Sequence, residues 1–317
     1  IWIPLRQRVQ VEGSEPIIKF FPGDDLPHWL STDELSPEIG RLIPMLENLH
    51  SIRGWQGIGE GAKLEFHISL ADDSRRRKSF DALEPATPTP FQGSVLVGQE
   101  SGHPLKIVFV GAEVNPFDGT LDRLEDDEHW PSDLGRDPET GNPRNIREKA
   151  RQHAAVCTSV RRCKAHAGSL SISWAVFLPL GAPEIIPVPG SGVDISLVLH
   201  GYFFVDAGRN RPIGLHDVRD VGDELRDDEQ LRYKWNQRLA DIGTLPLLPT
   251  CLNALVEHKM SRLGTDKILL VTRAIMNSAF FAEFRSQICS VNGWGLLWNA
   301  DGSRSWRLFD ASSRVCH

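Results

Sequence analysis

Two arginines follow directly after the most convincing buried strand that the sequence predicts. The apolar segment VDISLVLHGYFFVDA (193–207) predicts that strand, and Gly208 allows the backbone to turn at its end. Arg209 and Arg211 then project cationic side chains from the strand terminus, with Asn210 between them. A guanidinium presents a planar fork of N–H donors that suits phosphate oxygens, so the turn is a candidate anion site. The alternative is a surface hairpin with two solvated arginines, which the chemistry alone favours slightly.

Two further segments contain residue types that bind ligands, but their spacing favours a structural interpretation. GIGEGA (57–62) is rich in glycine, yet it precedes a strand instead of joining a strand to a helix, so a hairpin turn is favoured over a phosphate loop. Cys157, Cys163 and His166 lack zinc-knuckle spacing and a fourth ligand, so we interpret the cysteines as small apolar residues.

Charged runs occur where the sequence is polar and loop-like. Asp122–Glu128 and Asp223–Glu229 are acidic, and Arg75–Lys78 is basic. Solvated surface is the usual place for such runs, and paired carboxylates need a cleft to perform acid–base catalysis. No Walker-type phosphate loop, HExxH zinc site or GxSxG nucleophile elbow occurs in the sequence.

Composition is that of an ordinary globular protein. The chain has 317 residues, of which 40% are hydrophobic and 24% charged, enough for two modest domains. A net charge of −7 argues against a surface that binds nucleic acid throughout, although a local basic groove is compatible with it. Five cysteines, an odd number, favour a reducing compartment, so we expect a cytoplasmic protein. No apolar run approaches the roughly 20 residues that span a bilayer, so no membrane partner is expected.

Apolar periodicity predicts an α+β fold, with strands in the first two thirds and helices in the last third. The predicted strands are 1–11, 63–70, 94–99, 105–114, 169–180 and 193–207. The predicted helices are 36–49, about 145–153, a pair within 234–260 that is broken at Leu245–Pro249, and 266–288. A long solvated insertion is predicted over 115–145, and a strand-like tail contains Trp294, Trp298 and Trp306.

Several segments together resemble one known family. IWIPLR (1–6) is similar to the last strand of a GHKL (Bergerat-type) ATPase domain, where that domain enters its transducer, and MLENLHSI (45–52) resembles the step that follows. SISWAVFLPL (171–180), LVLHGYFFVDAGRNR (197–211) and WNQRLADIGTLPLL (235–248) occur in the order seen in sacsin-like proteins, relatives of the heat-shock chaperone ATPases. The resemblance is specific only over about 170–250.

The resemblance implies a transducer that senses nucleotide. In this superfamily an N-terminal domain holds ATP and Mg²⁺ with a catalytic Glu, a Mg-binding Asn and a DxGxG-type loop, so we expect the numbered sequence to begin inside a longer polypeptide. The transducer supplies a basic residue to the γ-phosphate, where a guanidinium stabilises developing negative charge. By position after HGYF, Arg209 and Arg211 are the candidates for that role, and Asn210 is a weaker one.

The family also implies an organisation and a set of partners. Residues 1–80 would hold the end of the ATPase domain, 81–233 a mixed-sheet transducer-like domain with a polar insertion near 115–145, and 234–317 a mainly helical C-terminal region. Expected partners are the N-terminal ATPase domain of the same chain, a second copy in a homodimer, and a protein or nucleic acid. Bacterial relatives often belong to anti-phage defence systems, which suggests an antiviral role.

The alternative is a non-enzymatic binding module. It would hold a protein or a nucleic acid with the acidic insertion (115–145) or with the tryptophan-bearing tail. Relatives in DNA repair and the topoisomerases use their transducer against DNA, which gives this alternative some support.

Overall fold

The computed structural model describes residues 40–41, 43–46, 49–56, 63–71, 83–84, 86–98, 105–116, 150–163, 167–176, 178–215, 227–257, 264–290, 296–298 and 304–306. The predicted strand 1–11, the basic run Arg75–Lys78 and the acidic run Asp122–Glu128 lie outside these residues, as do Trp294 and nearly all of the insertion 115–145.

One large sheet organises the described part of the chain. Its strands are β1 (Ser51–Gln56), β2 (Lys63–Leu70), β3 (Thr89–Gly98), β4 (Leu105–Val114), β5 (Ala154–Arg162), β6 (Ser169–Val176), β7 (Leu178–Pro179), β8 (Glu184–Pro187) and β9 (Val193–Gly201). The strand order is β1-β2-β3-β4-β5-β9-β6-β7, with β8 also paired to β6. All neighbours are antiparallel except β6 and β9, which run parallel. The fold is therefore α+β with a mixed sheet, as the sequence predicts.

The C-terminal third is mainly helical. Its helices are α1 (Asp227–Leu239), α2 (Leu247–Glu257), α3 (Thr265–Asn277) and α4 (Arg285–Ser290), and a short hairpin follows them, formed by β10 (Leu296–Trp298) and β11 (Arg304–Trp306). A π-helical turn, Ala240–Thr244, joins α1 to α2.

The larger core lies between the helices and one face of the central strands. Strands β5, β6 and β9 turn apolar side chains toward α1, α2 and α3 on this face. Trp174 lies within it, 1% exposed, with its ring stacked on Phe280 at a centroid distance of 5.4 Å and edge-on to Phe203 at 5.2 Å. Aromatic pairs at these distances add about 0.5–1.5 kcal/mol each beyond the area that they bury.

A second core lies on the opposite face of the sheet. Ile43 and Met45, in a 3-10 turn (Ile43–Met45), pack with side chains from β2 to β5, including Ile68 and Phe109. Both faces are buried over 109–114 of β4, 154–159 of β5 and most of β9. These stretches are therefore mostly small or apolar, as expected for strand segments without a solvated face.

Continuous and alternating apolar patterns located two strands correctly. The structure places β2 at Lys63–Leu70 and β4 at Leu105–Val114, the predicted bounds. The prediction 94–99 falls largely within β3, which begins earlier, at Thr89. The strand predicted over 193–207 ends at Gly201 instead, because residues further on are bonded to helix α1.

Three helix predictions need correction. Residues 150–153, within the helix predicted over about 145–153, are not helical and lead directly into β5. Of the helix predicted over 36–49, residues 40–41 are helical and Ile43–Met45 form a 3-10 turn, while the described residues 46 and 49 are not helical. The helix predicted over 266–288 is interrupted after Asn277, since the Ser278 hydroxyl and backbone N–H both donate to the Ile275 carbonyl.

Helices α1 and α2 are not separated as the sequence suggests. The predicted break at Leu245–Pro249 is replaced by the π-helical turn at Ala240–Thr244, and helix α2 already begins at Leu247. Pro249 lies in the first turn of α2, where its missing N–H costs little.

Two contacts of the described elements cross the predicted domain boundaries, and the division into domains stays a prediction. Strand β2 pairs with β3 across the boundary predicted at 80/81. Helix α1 runs through the boundary predicted at 233/234, and its residues pack on the sheet.

One helical stretch within the described residues, Arg232–Val256, is long and apolar enough to cross a membrane by length and composition. The most apolar 18-residue stretch of this helix is 72% buried inside the protein, so packing on the sheet accounts for its apolar character.

Cys251 joins helix α2 to the sheet. Its thiol lies 3.0 Å from the Thr158 hydroxyl and 3.5 Å from the Val110 carbonyl oxygen. Burial raises the pKa of Cys251 to about 12, while the contact with Thr158 acts in the opposite direction. The thiol is therefore protonated in the folded protein at any ordinary pH.

Replacing Cys251 by Ala should remove a pH dependence of stability. An unfolded thiol ionises near its ordinary pKa of 9.0, so the wild type should lose stability as the pH rises above that value toward the folded pKa. Between pH 8 and pH 10 we expect the free energy of unfolding to fall by about 1 kcal/mol more in the wild type than in Cys251→Ala. Urea unfolding of both proteins measures this difference, and parallel pH profiles would contradict the assignment.

Candidate functional site

The segment that follows β9 forms a hairpin held by backbone bonds. The Arg209 N–H donates to the Asp206 carbonyl oxygen at 3.0 Å, and the Asp206 N–H donates to the Arg211 carbonyl oxygen at 3.1 Å. Val205 and Pro212 form an antiparallel bridge at its base. The predicted turn is therefore present, and it is a tight, internally bonded hairpin.

The Asp206 carboxylate fixes the far side of this hairpin. Its Oδ1 accepts the backbone N–H of Asn210 at 2.7 Å and that of Arg211 at 3.3 Å. A carboxylate that accepts two backbone N–H groups from the far side of a turn ties the two sides of the loop together. Since Asp206 is bonded to the backbone, it holds the loop in shape without covering the guanidinium of Arg209, which is exposed.

Arg209 has an unusual backbone conformation. Its φ is +54°, in the left-handed region, which Gly and Asn adopt most readily at this kind of hairpin position. The left-handed conformation costs roughly 1–2 kcal/mol for a residue with a Cβ. The fold thus holds an exposed arginine where glycine would be less strained.

Gly208 lies close to the Asn210 side chain inside the turn. A Cβ at this position would lie 2.6 Å from Nδ2 of Asn210, an exposed side chain that could move aside. The sequence prediction gave Gly208 backbone freedom, but Gly208 is not among the glycines with a positive φ.

Asn236 of helix α1 binds both strands of the hairpin. Its Oδ1 accepts the Phe204 N–H at 2.7 Å, and its Nδ2 donates to the carbonyl oxygens of Phe204 at 2.7 Å and Ile213 at 2.8 Å. The residue is 0% exposed, so these bonds have no competition from water. One buried amide therefore fixes the base of the hairpin to the helix.

The neighbouring residue strengthens the same attachment. The Trp235 indole N–H donates to the Tyr202 carbonyl oxygen at 3.0 Å, and its ring is buried. Arg232, one turn earlier on α1, lies with its guanidinium 6.0 Å from the centroid of the Phe204 ring. Helix α1 thus contacts the segment between β9 and the hairpin at several points.

The loop after β7 also meets the hairpin. Gly181, which has a φ of +64°, approaches so closely that a Cβ would lie 2.7 Å from the Asn210 carbonyl oxygen. The loop after β7 and helix α1 therefore both contact the hairpin segment.

A buried polar cluster lies at the same end of the sheet. Nε2 of His153, just before β5, lies 3.2 Å from the Glu113 carboxylate near the end of β4, and both side chains are almost fully buried. The His200 ring is 5.6 Å from that of His153, and the Arg151 guanidinium is 5.6 Å from the centroid of the Tyr202 ring. This cluster fixes the strand ends from which the chain continues toward the hairpin.

Sequence reasoning did not identify Glu113 and His153 as a pair. The two residues are 40 positions apart along the chain, so no local motif links them. One signal was available, since a glutamate inside the apolar run LKIVFVGAEV is expected to need a buried partner.

The remaining predicted residues take structural positions where the structure describes them. GIGEGA (57–62) lies outside the described residues; the strands before and after it, β1 and β2, pair antiparallel with Gln56 opposite Lys63. Cys157 is buried in the second core, as a small apolar residue would be, and His166 lies outside the described residues. Within the described residues no group of three or more His, Cys, Asp or Glu side chains is arranged to hold a metal ion.

Comparison with known proteins gives no relative: no protein-family model, no curated protein and no solved structure matches the chain.

Replacing Asn236 by Asp tests the attachment of the hairpin. The change places a carboxylate oxygen against two carbonyl oxygens in a site closed to water, so it should lower the free energy of unfolding by about 3 kcal/mol or more. Gln237→Glu makes the same chemical change at the next, half-buried position and should cost less than about 1 kcal/mol.

Urea unfolding measures both stabilities, and hydrogen exchange reports the backbone amides of residues 204–213. Faster exchange at these amides in Asn236→Asp, relative to Gln237→Glu, is the expected result. Equal stabilities in the two variants would show that Asn236 does not hold the hairpin.

Proposed function

We propose that this chain is the transducer portion of a sacsin-like GHKL ATPase. In this role it couples ATP binding and hydrolysis, in an N-terminal domain that binds ATP and Mg²⁺, to a change of conformation. Arg209 is the residue that senses the γ-phosphate, with Arg211 beside it. The observation that carries the proposal is an exposed arginine in a left-handed conformation at the tip of a rigidly attached hairpin.

The chemistry of the hairpin supports phosphate sensing. A guanidinium is always charged and offers several N–H donors, which suits the oxygens of a transferring phosphoryl group. A sensor must also be held in place, since freedom in its backbone would be lost on each encounter with nucleotide. The bonds from Asp206 and Asn236 provide that restraint.

The contacts of helix α1 support a coupling role. A displacement of the hairpin would act on Asn236 and Trp235, both of which belong to this helix. The same helix packs on the main core through Trp235 and Leu239. Packed elements of this kind respond to a local contact by shifting together, which is how small movements at a ligand are enlarged.

Backbone strain favours Arg209 over Arg211 as the sensing residue. Strained residues persist where the surrounding structure determines them, and they cluster at functional sites. Arg209 has the positive φ, whereas Arg211 is not among the non-glycine residues with positive φ in the described chain. Of the two arginines, Arg209 is therefore the one whose backbone the fold holds in an unfavourable conformation.

The family resemblance also suggests a cellular role. A cytoplasmic, homodimeric ATPase acting in bacterial anti-phage defence is the setting that relatives suggest, and this part of the proposal rests on association alone.

Removing the guanidinium of Arg209 should slow ATP hydrolysis. The test uses the polypeptide that contains the N-terminal ATP-binding domain, with Arg209→Gly as the main variant because glycine accepts the positive φ and leaves the hairpin intact. We expect kcat to fall by roughly 10³-fold while ATP affinity stays within a few-fold of wild type. Arg211→Ala should have a smaller effect on kcat.

Arg53→Ala provides the matched control, because Arg53 is an exposed arginine of β1, at the other edge of the sheet. Its turnover should equal that of wild type. Unchanged turnover in both Arg209→Gly and Arg211→Ala would refute the sensing role. The sequence upstream of Ile1 gives a further test. The ATPase assignment requires an ExxxN helix and a DxGxG loop within about 200 residues before Ile1, the usual size of one domain. If neither motif occurs there, the assignment fails.

A further inference from the structure

An open cleft lies at the end of the sheet opposite the hairpin. It has a volume of about 600 Å³, and its lining residues come from the end of β5, the start of β6 and the start of β9: Arg161, Arg162, Cys163, Ser169 and Asp194 are among them. Cavities of 300–1,000 Å³ are the usual size of small-molecule sites.

Sheet register places three of these residues in one row. Arg161 is directly opposite Asp194 on β9, and Asp194 is directly opposite Ser169 on β6. Because residues opposite one another share a face of the sheet, their side chains meet without any loop having to bring them together. The row is therefore built on the most regular part of the fold.

Asp194 is held at the centre of the row by three donors. The Ser169 hydroxyl donates to its carboxylate at 2.7 Å, Nη2 of Arg161 donates at 3.3 Å, and the Cys163 thiol is a third partner. Burial acts to raise the pKa of Asp194, but these hydrogen bonds and the Arg161 charge outweigh it and lower the pKa. Asp194 is thus ionised, and most of its acceptor capacity is already used.

Cys163 is a hydrogen-bond donor and not a nucleophile in this cleft. Burial, followed by the hydrogen bond to Asp194 and the charge of that carboxylate, raises the pKa of Cys163 to about 11. A thiol with that pKa is protonated near neutral pH, whereas a reactive cysteine needs a lowered pKa.

Positive charge is in excess around the cleft. Arg161 uses one of its five N–H donors on Asp194, and its side chain is 72% exposed, so the rest of the guanidinium faces the opening. Arg162 is exposed beside it.

From this geometry we infer that the cleft binds a phosphate monoester of about nucleotide size. Arg161, positioned by Asp194, and Arg162 hold the phosphate group, and the volume of the cleft accommodates the organic part. The two arginines that line the cleft outweigh its single carboxylate, so the site attracts an anion. The inference is independent of the proposed sensing hairpin, which lies at the other end of the sheet.

Calorimetric titration of the purified chain with inorganic phosphate, AMP and ATP, without added metal, tests the inference. We expect saturable 1:1 binding of at least one of the three, weakened by added NaCl. Binding of AMP more tightly than phosphate assigns the rest of the cleft to the organic part. Equal affinity for phosphate and AMP would overturn the inference that the ligand is of nucleotide size.

Three variants locate the binding site. Arg162→Gln removes one guanidinium that has no bond to Asp194 in the described contacts, and it should weaken binding by roughly tenfold, the value expected for one charged hydrogen bond. Arg161→Gln should weaken it at least as much. Arg53→Gln, which alters an exposed arginine on β1, should leave the affinity unchanged.

Arg209→Gly distinguishes binding at the cleft from binding at the hairpin. A loss of phosphate affinity in this variant alone would place the bound anion at the hairpin. Absence of saturable binding to wild type, or binding that Arg209→Gly abolishes and Arg162→Gln leaves intact, would overturn the inference. If Arg161→Gln lowers the melting temperature, Arg162→Gln decides alone, because Arg162 is exposed and contributes little to folding.

Discussion

The buried amide of Asn236 is the constraint on which the described site depends. It supplies one acceptor and two donors to the backbone of Phe204 and Ile213, so it replaces part of a sheet ladder that β9 no longer provides after Gly201. Without this residue, the Phe204 N–H and the Ile213 carbonyl would lose their bonds to Asn236, while the Phe204 carbonyl would keep the bond from the Ile213 N–H. A buried group left unpaired costs about 1–3 kcal/mol. The hairpin and its arginines keep their position relative to helix α1 because asparagine alone has the right donors and acceptor at this length.

The sheet is a rigid support for the attachment of the hairpin to helix α1. Both faces of its central strands are buried, one by the helices and the other by the turn that carries Ile43 and Met45. Trp174 lies under the helical layer in contact with Phe203, which is next to the segment that Asn236 holds. A tightly packed interior resists gradual deformation, so a force on the hairpin is passed on as a movement of whole elements.

Sequence patterns predicted the α+β class and several strands, because apolar periodicity is a local property. Strands β2 and β4 have their predicted bounds, while β9 ends six residues early for a reason that lies at Trp235 and Asn236. An asparagine in a predicted helix carries no sign that it will be buried and bonded to a distant turn. The pairing of Glu113 with His153 and the row through Asp194 depend in the same way on strand order, which periodicity does not reveal.

The two ends of the sheet use a carboxylate in opposite ways, and the difference fits different tasks. Asp206 binds backbone N–H groups, so it fixes the loop without engaging the exposed Arg209 side chain. Asp194 binds the guanidinium of Arg161 itself, so that side chain loses its freedom before any ligand arrives. A sensor has to respond to a group that moves, whereas a binding cleft gains affinity when its donors are fixed in advance. The contrast supports a switching role for the hairpin and a holding role for the cleft.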